Sequence, residues 1–327
     1  MALLLSEADV RKILTMEMAL RAVEDSFKDL GDGNALLHPR RRLHVPGGSY
    51  LHYMAAADTR NGYMGMKIYT SSKTGLRFLV PLFHAVTGDL LALIEADYLG
   101  QVRTGAASGV ATRLLSRKDS HALGIIGTGL QAHTQLQAIV QVRKIDRIRV
   151  YGRNAEKREA FAKEASAALK VKVDAVGSGE GAVRDADIIV TSTSASEPVL
   201  GGKWLRPGVH INAIGANFPQ KRELDAEAVG RATVIAVDSC EQSKMEAGDL
   251  IQAFGSDAGR WDAVTELAQV ATGKAPGRVR PEDITLFKSN GIATEDVATA
   301  AKVYERAREM NVGTEVAMWP NERAAAR

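Results

Sequence analysis

At 327 residues the chain is longer than one hydrophobic core ordinarily fills, and it fits two domains of roughly 100 to 200 residues each. A composition that is 45% hydrophobic and 25% charged belongs to a folded globular protein and excludes a disordered one. With 42 basic and 39 acidic residues the formal charge is only +3, too weak a field to call for nucleic acid as a partner.

The N-terminal segment MALLLSEADVRKIL has no basic region ahead of its apolar run, and that run is too short for a secretory signal. Nowhere do about 18 apolar residues follow one another, so no membrane span is expected and a cytoplasmic location follows by elimination. Ser6 with Glu7 and Asp9 reads as a helix cap before Val10, Ile13 and Leu14. Met16, Ala19, Leu20, Val23 and Phe27 share one face of a second helix that ends at Gly31. From Arg42 to Leu93 the period changes. Runs at 50–54, 65–69, 79–83 and 90–94, separated by glycine- or aspartate-containing turns, predict a meander or small sheet. An alanine-rich helix over 98–115 leads out of it.

From Ala122 the pattern becomes strand, glycine turn, helix. LGII and GTGLQA are followed by IRVYG, VKVDAV, DIIVTST, VHINAIG and TVIAVDS, with helical segments between several of them. Apolar strands alternating with helices predict a parallel sheet covered on both faces. The fold class expected is therefore α/β, a Rossmann-type domain over 118–299 joined to an α+β domain built from 1–117 and 300–327. A last helix over 297–310 packs back to make the latter discontinuous.

Gly127, Thr128, Gly129, Leu130, Gln131 and Ala132 form a G-x-G-x-x-A directly after a buried strand. In that motif the first glycine makes the tight turn, the second lets a pyrophosphate approach the backbone, and the alanine lets the helix pack close to the strand. The helix N-terminus then offers its free N–H groups to the phosphates. At the end of the second strand, where an acid would take the ribose 2′-hydroxyl of NAD, the chain reads Tyr151, Gly152, Arg153. Arg153 tolerates or binds a 2′-phosphate, so the cofactor is NAD(P)H with NADP and NAD both open. Thr191, Ser192 and Thr193 follow another strand and are candidates to line the nicotinamide side.

A dinucleotide enzyme that transfers hydride to a small anionic substrate needs cations for the anion and a proton donor near the reacting atoms. Candidates are the run Arg40, Arg41, Arg42, then Lys67 inside an apolar strand and Arg103 on the alanine-rich helix, both places where a charge needs a partner. Glu95 and Asp97 are candidates to orient Arg103. The seven histidines lack metal-ligand spacing, and the single cysteine, Cys240, allows neither an intramolecular disulfide nor a thiolate cluster, so no metal is expected. Cys240 itself reads as a buried, inert thiol.

The segments GMKIY, LIEADYLGQVRTGAASGVATRLL, LGIIGTGLQA, HINAIGANFPQKRELD and TLFKSNGIATEDVATAAKVY, in this order, resemble the ornithine cyclodeaminase and mu-crystallin family over about residues 5 to 312. The resemblance implies an N-terminal substrate-binding and dimerisation domain, a central dinucleotide domain, and a homodimer paired through the N-terminal sheets. It places the family's lysine at Lys67, a carboxylate-binding arginine at Arg103, Thr104 beside the cofactor phosphates, and an upstream arginine within 40–42, with spacing from Pro46 favouring Arg40. It also puts the helix start holding Asp296 near the nicotinamide or substrate. The chain departs from true cyclodeaminases at Asn217, where they carry an aspartate. Asparagine cannot act as a carboxylate base, so Asn217 is left as a hydrogen-bonding group for an amine or water beside the cofactor.

The function expected is NAD(P)H-dependent reduction of a 2-imino acid to the L-amino acid, reversible as an amino-acid dehydrogenase, with Lys67 donating a proton. A linear substrate such as iminosuccinate or iminopropionate is favoured, since three adjacent arginines lean toward a dicarboxylate. Cyclic ketimine reduction, diamino-acid cyclodeamination and a non-catalytic NADP-binding role remain as alternatives.

Overall fold

The computed structural model describes residues 1–318. The chain divides into two compact units, one of residues 1–103 with those from Ile292 onward, the other of residues 104–291. The sequence reading set the boundaries at 117/118 and 299/300. The contact division falls instead inside the helix that runs from Asp97 to Leu115, and just ahead of the last helix, which begins at Ala293 and not at Val297. Residues 319–327, assigned to the first domain from sequence, lie outside the described residues.

The first unit contains β1 (Ala2–Leu5), α1 (Glu7–Ile13), α2 (Met16–Gly31), β2 (Ala35–His44), β3 (Tyr50–Asp58), β4 (Tyr63–Ser72), β5 (Gly75–His84), β6 (Leu90–Glu95) and the start of α3 (Asp97–Leu115). Its seven-stranded sheet also takes in a strand near the end of the described chain, Thr314–Val316, which pairs with β1. The reading from sequence gave no strand at Ala2–Leu5 and only short runs for β3 to β5. These strands run nine or ten residues because their polar ends, such as Ser71 and Ser72, continue the ladder. Ser6 and Asp9 close a reciprocal capping box on α1.

Register decides which side chains meet. Met54 pairs with Lys67, His52 with Tyr69, and Tyr69 with Phe78. These residues share one face of the sheet, because alternate residues of a strand point to the same side. An irregularity in β2 between His38 and Arg41 shifts the register there. Arg40 lies in that shift and is buried, while Arg41 is exposed.

The second unit is built on an eight-stranded sheet in which every neighbouring pair is parallel. In chain order it holds β7 (Ala122–Ile126), α4 (Leu130–Val142), β8 (Arg147–Tyr151), α5 (Ala155–Leu169), β9 (Val173–Ala175), α6 (Gly179–Val183), β10 (Ile188–Thr191), β11 (His210–Ala213), α7 (Ala226–Arg231), β12 (Val234–Val237), α8 (Cys240–Glu246), α9 (Gly248–Phe254), α10 (Gly259–Asp262), β13 (Val264–Glu266), α11 (Leu267–Ala271) and β14 (Thr285–Lys288). Helix α12 (Ala293–Met310) and strand β15 (Thr314–Val316) then return to the first unit.

Alternate residues of one strand feed two different cores. Ile189 packs with Ile126, Ile211 and Leu286 on one side, and Ile188 and Val190 pack with Leu123, Ile125 and Leu136 on the other. That is why the strands read as continuous apolar runs. The strand order is β9, β8, β7, β10, β11, β14, β12, β13, so it reverses direction between β7 and β10. In sheets of this kind ligands bind at the strands' carboxyl ends beside that reversal. Strands β13 and β14 were not separated out from sequence, being only three and four residues long.

Arg143, just past α4, caps the end of α3. Its Nε donates to the Ser116 hydroxyl at 2.9 Å, and its Nη2 donates to the carbonyls of Thr112, Arg113 and Ser116 at 3.1, 2.9 and 3.2 Å. The last carbonyls of a helix have no partner within it, and a guanidinium supplies several donors at once. Arg143→Ala is therefore expected to lower unfolding free energy by about 2 to 3 kcal/mol, the scale of charge-assisted hydrogen bonds left unmade. Urea unfolding checks this; a midpoint equal to that of the unmodified chain would refute it.

Candidate active site

In the first unit four buried charged side chains meet. Lys67 Nζ donates to Asp296 Oδ1 at 3.0 Å, and Arg103 Nε donates to the same oxygen at 3.0 Å. Arg103 Nη1 reaches Glu295 Oε2 at 2.6 Å. Both acids are fully buried, and Lys67 and Arg103 are 3% and 6% exposed. Arg40, also 6% exposed, is near enough to lower the pKa of Lys67. The cluster therefore gathers cations and carboxylates out of water, and guanidinium groups in such a place are chemically suited to a carboxylate ligand.

Burial, then the charge of Arg103, brings Lys67 down to about 8, with Asp296 acting in the opposite direction. Asp296 Oδ2 is buried and has no hydrogen-bond partner among the described residues, so the carboxylate keeps one oxygen for a further donor. Asp296 had been a secondary candidate from sequence. Glu295 had not been considered, although the sequence ED at a helix start signalled paired acids. Glu95 and Asp97 do not orient Arg103: Glu95 accepts from the Glu7 N–H and Asp97 from Gln101, both at an exposed edge. Gly100 is what admits the lysine, since a Cβ there would stand 2.8 Å from Lys67 Nζ.

Beyond Lys67 on the same face the rings of His52, Tyr69 and Phe78 stack across the strands, with centroids 4.2 Å apart for the first pair and 5.0 Å for the second. Phe78 lies 5.2 Å from Lys67 Nζ. Burial, followed by Arg42 and Arg40, pushes His52 down to about 4, so it is neutral near pH 7. Arg42, half-buried, pairs with His52 across β2 and β3.

In the second unit, GTGLQA turns from β7 into α4. Gly127 has φ +124°, and a Cβ on it would collide with the Ser192 backbone. Gly129 faces open space and caps α4 without a side-chain hydrogen bond, which leaves the first N–H groups for an anion. Ser192 Oγ and Gln131 Oε1 are buried with no protein partner beside this turn. Ala132 is fully buried against the sheet and Leu130 is 68% exposed. These features fit a dinucleotide pyrophosphate. A Cβ on Gly152 would stand 2.7 Å from Thr128 Oγ1, so a larger residue there would require the Thr128 side chain to shift. Arg153 next to it is exposed. Thr104 is half-buried, its carbonyl accepting from Gln135 at 3.2 Å.

Thr191 is fully buried and its hydroxyl donates to Glu223 Oε2 at 2.9 Å. Thr193 gives Glu223 Oε1 both its N–H, at 2.6 Å, and its hydroxyl, at 2.8 Å. The Gly215 N–H donates to Oε2 at 2.7 Å. The fully buried Glu223 thus ties the loops after β10 and β11 together, and sequence reasoning missed it. Lys288, also fully buried, donates to the Ala216 carbonyl at 2.5 Å and pairs with Asp249 at 3.1 Å. Asn217 comes after Ala216 in this loop and is half-buried. Cys240 is half-buried, its thiol pushed up to about 11 by burial and then Glu266. Among the described residues no group of three or more His, Cys, Asp or Glu is placed to hold a metal ion, and no helix is long and apolar enough to cross a membrane.

Removing one partner of a buried ion pair leaves the other charge uncompensated and costs about 3 to 5 kcal/mol. Asp296→Asn should lower stability on that scale, because it strips two cations of one shared carboxylate. Chemical denaturation measures it, and a loss under about 1 kcal/mol would mean that the cluster is not held by this acid.

The profile of the ornithine cyclodeaminase/mu-crystallin family matches residues 1–311 of this chain. Among solved structures, the Δ1-pyrroline-2-carboxylate reductase of Thermococcus litoralis with NADH and L-proline is 37% identical with a TM-score of 0.92, covering 96% of this chain and all of that one. An archaeal alanine dehydrogenase dimer with bound NAD is 34% identical with a TM-score of 0.91, covering 97% and 99% of the two chains. The iminosuccinate reductase of Paracoccus denitrificans with NAD+ is 28% identical with a TM-score of 0.91, covering 97% and 99%. The chain belongs to the ornithine cyclodeaminase/mu-crystallin family.

Proposed function

We propose that this protein is an NAD(P)H-dependent reductase of 2-imino acids that runs in reverse as an amino-acid dehydrogenase. The observation that carries the reading is the buried cluster of Lys67, Arg103 and Arg40 against Asp296 and Glu295. In it, Arg103 and Arg40 take the substrate carboxylate. Lys67, with a pKa near neutrality, holds the proton that the nitrogen needs, and Asp296 Oδ2 accepts from that nitrogen. The bound dinucleotide supplies the hydride that reduces the C=N carbon. Gly127 to Ala132, Ser192 and the loop bearing Asn217 hold and orient it, and Arg153 is placed for a 2′-phosphate, so that NADP is accepted beside NAD.

Within this class a linear dicarboxylic imino acid such as iminosuccinate is the preferred substrate. Arg42 stands one inward position beyond Arg40 on β2, about 7 Å farther along the strand, a distance suited to a second carboxylate. The stacked Tyr69 and Phe78, and the similarity to a reductase holding L-proline, favour a cyclic ketimine as the second reading. Cyclodeamination lacks its acid at Asn217. The exposed Leu36, Leu43 and Tyr53 lie on the sheet face opposite Lys67 and form the surface through which two copies pair.

An oxidation screen with NADH and NADPH tests this. Oxaloacetate with ammonia is expected to sustain turnover above that of pyruvate with ammonia or of preformed pyrroline-2-carboxylate. Fastest turnover on the cyclic imine would install the second reading, and silence on every imine with dinucleotide binding intact would remove the enzymatic one. The pH dependence is set by Lys67. Reduction needs its protonated form, so kcat/KM for imine reduction should fall above a pH of about 8, whereas amino-acid oxidation needs the neutral amine and should rise through the same value. Lys67→Ala should lose both limbs and most of the turnover while dinucleotide affinity stays within about twofold; equal losses in both would exclude the proton-holding role.

A further inference from the structure

Glu223, Asp249 and Lys288 form a second buried charge cluster, wholly within the parallel-sheet unit. Each oxygen of Glu223 accepts one backbone N–H, from Thr193 and from Gly215, and one threonine hydroxyl. Backbone N–H groups only donate, so both oxygens act as acceptors, and the arrangement matches the ionised carboxylate. Burial pushes the Glu223 pKa up and Asp249 adds to that, Lys288 and the donors from Thr193 pull against it, and the net direction is upward. It is therefore the four donated hydrogen bonds that mark the carboxylate as the acceptor form. Asp249 Oδ1 accepts the N–H groups of Glu223 and Leu224 at 2.6 and 2.9 Å, and its Oδ2 faces Lys288. All three side chains are essentially inaccessible to water. Two carboxylates against one ammonium leave one negative charge in excess, in surroundings that screen it poorly.

Its position gives that charge a role. The pyrophosphate turn comes directly after β7, and the strand order reverses between β7 and β10. In dinucleotide-binding sheets one mononucleotide lies to each side of that reversal. The strand after the turn, β8, leads into Gly152 and Arg153 and takes the adenosine side. The nicotinamide side is therefore that of β10 and β11, whose following loops Glu223 braces. A nicotinamide ring is cationic when oxidised and neutral when reduced, so a fixed charge beside it discriminates between the two forms.

We propose that Glu223, with Asp249 and Lys288, is a positioning and charge-setting group that makes this site bind the oxidised dinucleotide in preference to the reduced one. By stabilising the product form of the cofactor, the cluster makes the reduced form a stronger hydride donor. The inference rests on nicotinamide binding alone and is independent of which imine is reduced.

The test is equilibrium binding by calorimetry of NAD+, NADH, NADP+ and NADPH to the unmodified protein and to two variants. Glu223→Gln keeps the shape and removes the charge. Asp249→Asn removes one charge at a residue that touches neither Thr193 nor Gly215 and keeps its Oδ1 acceptor, so it decides the matter if Glu223→Gln does not fold. In each folded variant the oxidised form is expected to weaken at least fivefold more than the reduced form. Equal weakening of both forms, or an unchanged ratio in either folded variant, would leave Glu223 a purely structural brace and overturn the proposal. Failure of the unmodified protein to bind any of the four would overturn the proposal and the nicotinamide reading together.

Discussion

The cost of taking charges out of water governs the first unit. An ionised side chain buried alone is penalised by several kcal/mol, yet Lys67, Arg103, Glu295 and Asp296 are all nearly inaccessible. They persist because each lies against an opposite charge at 3.0 Å or less. That requirement reaches outward into the backbone. Helix α12 must start where Glu295 and Asp296 face the sheet, Gly100 must lack a side chain so that Lys67 can extend, and β2 must break register so that Arg40 turns inward. Replacing the set by apolar residues would be easier on stability, which fits a role for the cluster beyond holding the fold.

The second unit solves a different problem, that of keeping several loop backbones in place at the carboxyl ends of short strands. Strands β10 and β11 are only four residues long, too short to fix the loops that leave them. Glu223 supplies the fixing by accepting two backbone N–H groups from different loops, and Lys288 adds a hold on the Ala216 carbonyl. Gly215 cannot carry a Cβ because the Thr193 carbonyl and the Glu223 carboxylate occupy that space. The same atoms that shape the loops also set two carboxylates against one ammonium in this unit.

How much of this could be read from the chain depended on how local each signal is. The turn GTGLQA announces itself because turn, phosphate approach and helix packing all fall within six consecutive residues. Lys67 and Arg103 could be singled out because a charge in an apolar strand or an alanine-rich helix is locally inconsistent. Their partners could not, since Asp296 is 229 residues from Lys67 and an acid at a helix start has an ordinary explanation in the helix dipole. Glu223 was hidden for the same reason: the acid in RELD looks solvated until the fold brings the loops of Thr193 and Gly215 to it. The discontinuous unit boundary inside α3 leaves no mark, because α3 is helical and almost entirely buried on both sides of Arg103.

Substrate identity is the least legible property, and the structure shows why. In the proposed reading the cluster around Lys67 meets only the α-carboxylate and the α-nitrogen, which alanine, proline and aspartate all present, the nitrogen of proline being part of its ring, so it separates them weakly. Discrimination falls to the next row of the sheet, where His52, Tyr69 and Phe78 offer aromatic surface and Arg42 offers charge. A methylene more or less against aromatic surface changes selectivity by only about 1 to 3 kcal/mol, whereas a site built to hydrogen-bond a polar group rejects the analogue lacking it more strongly. If Arg42 meets a second carboxylate, selectivity for a dicarboxylate is therefore strong and depends on a single residue; if it does not, the aromatic row admits linear and cyclic imines alike.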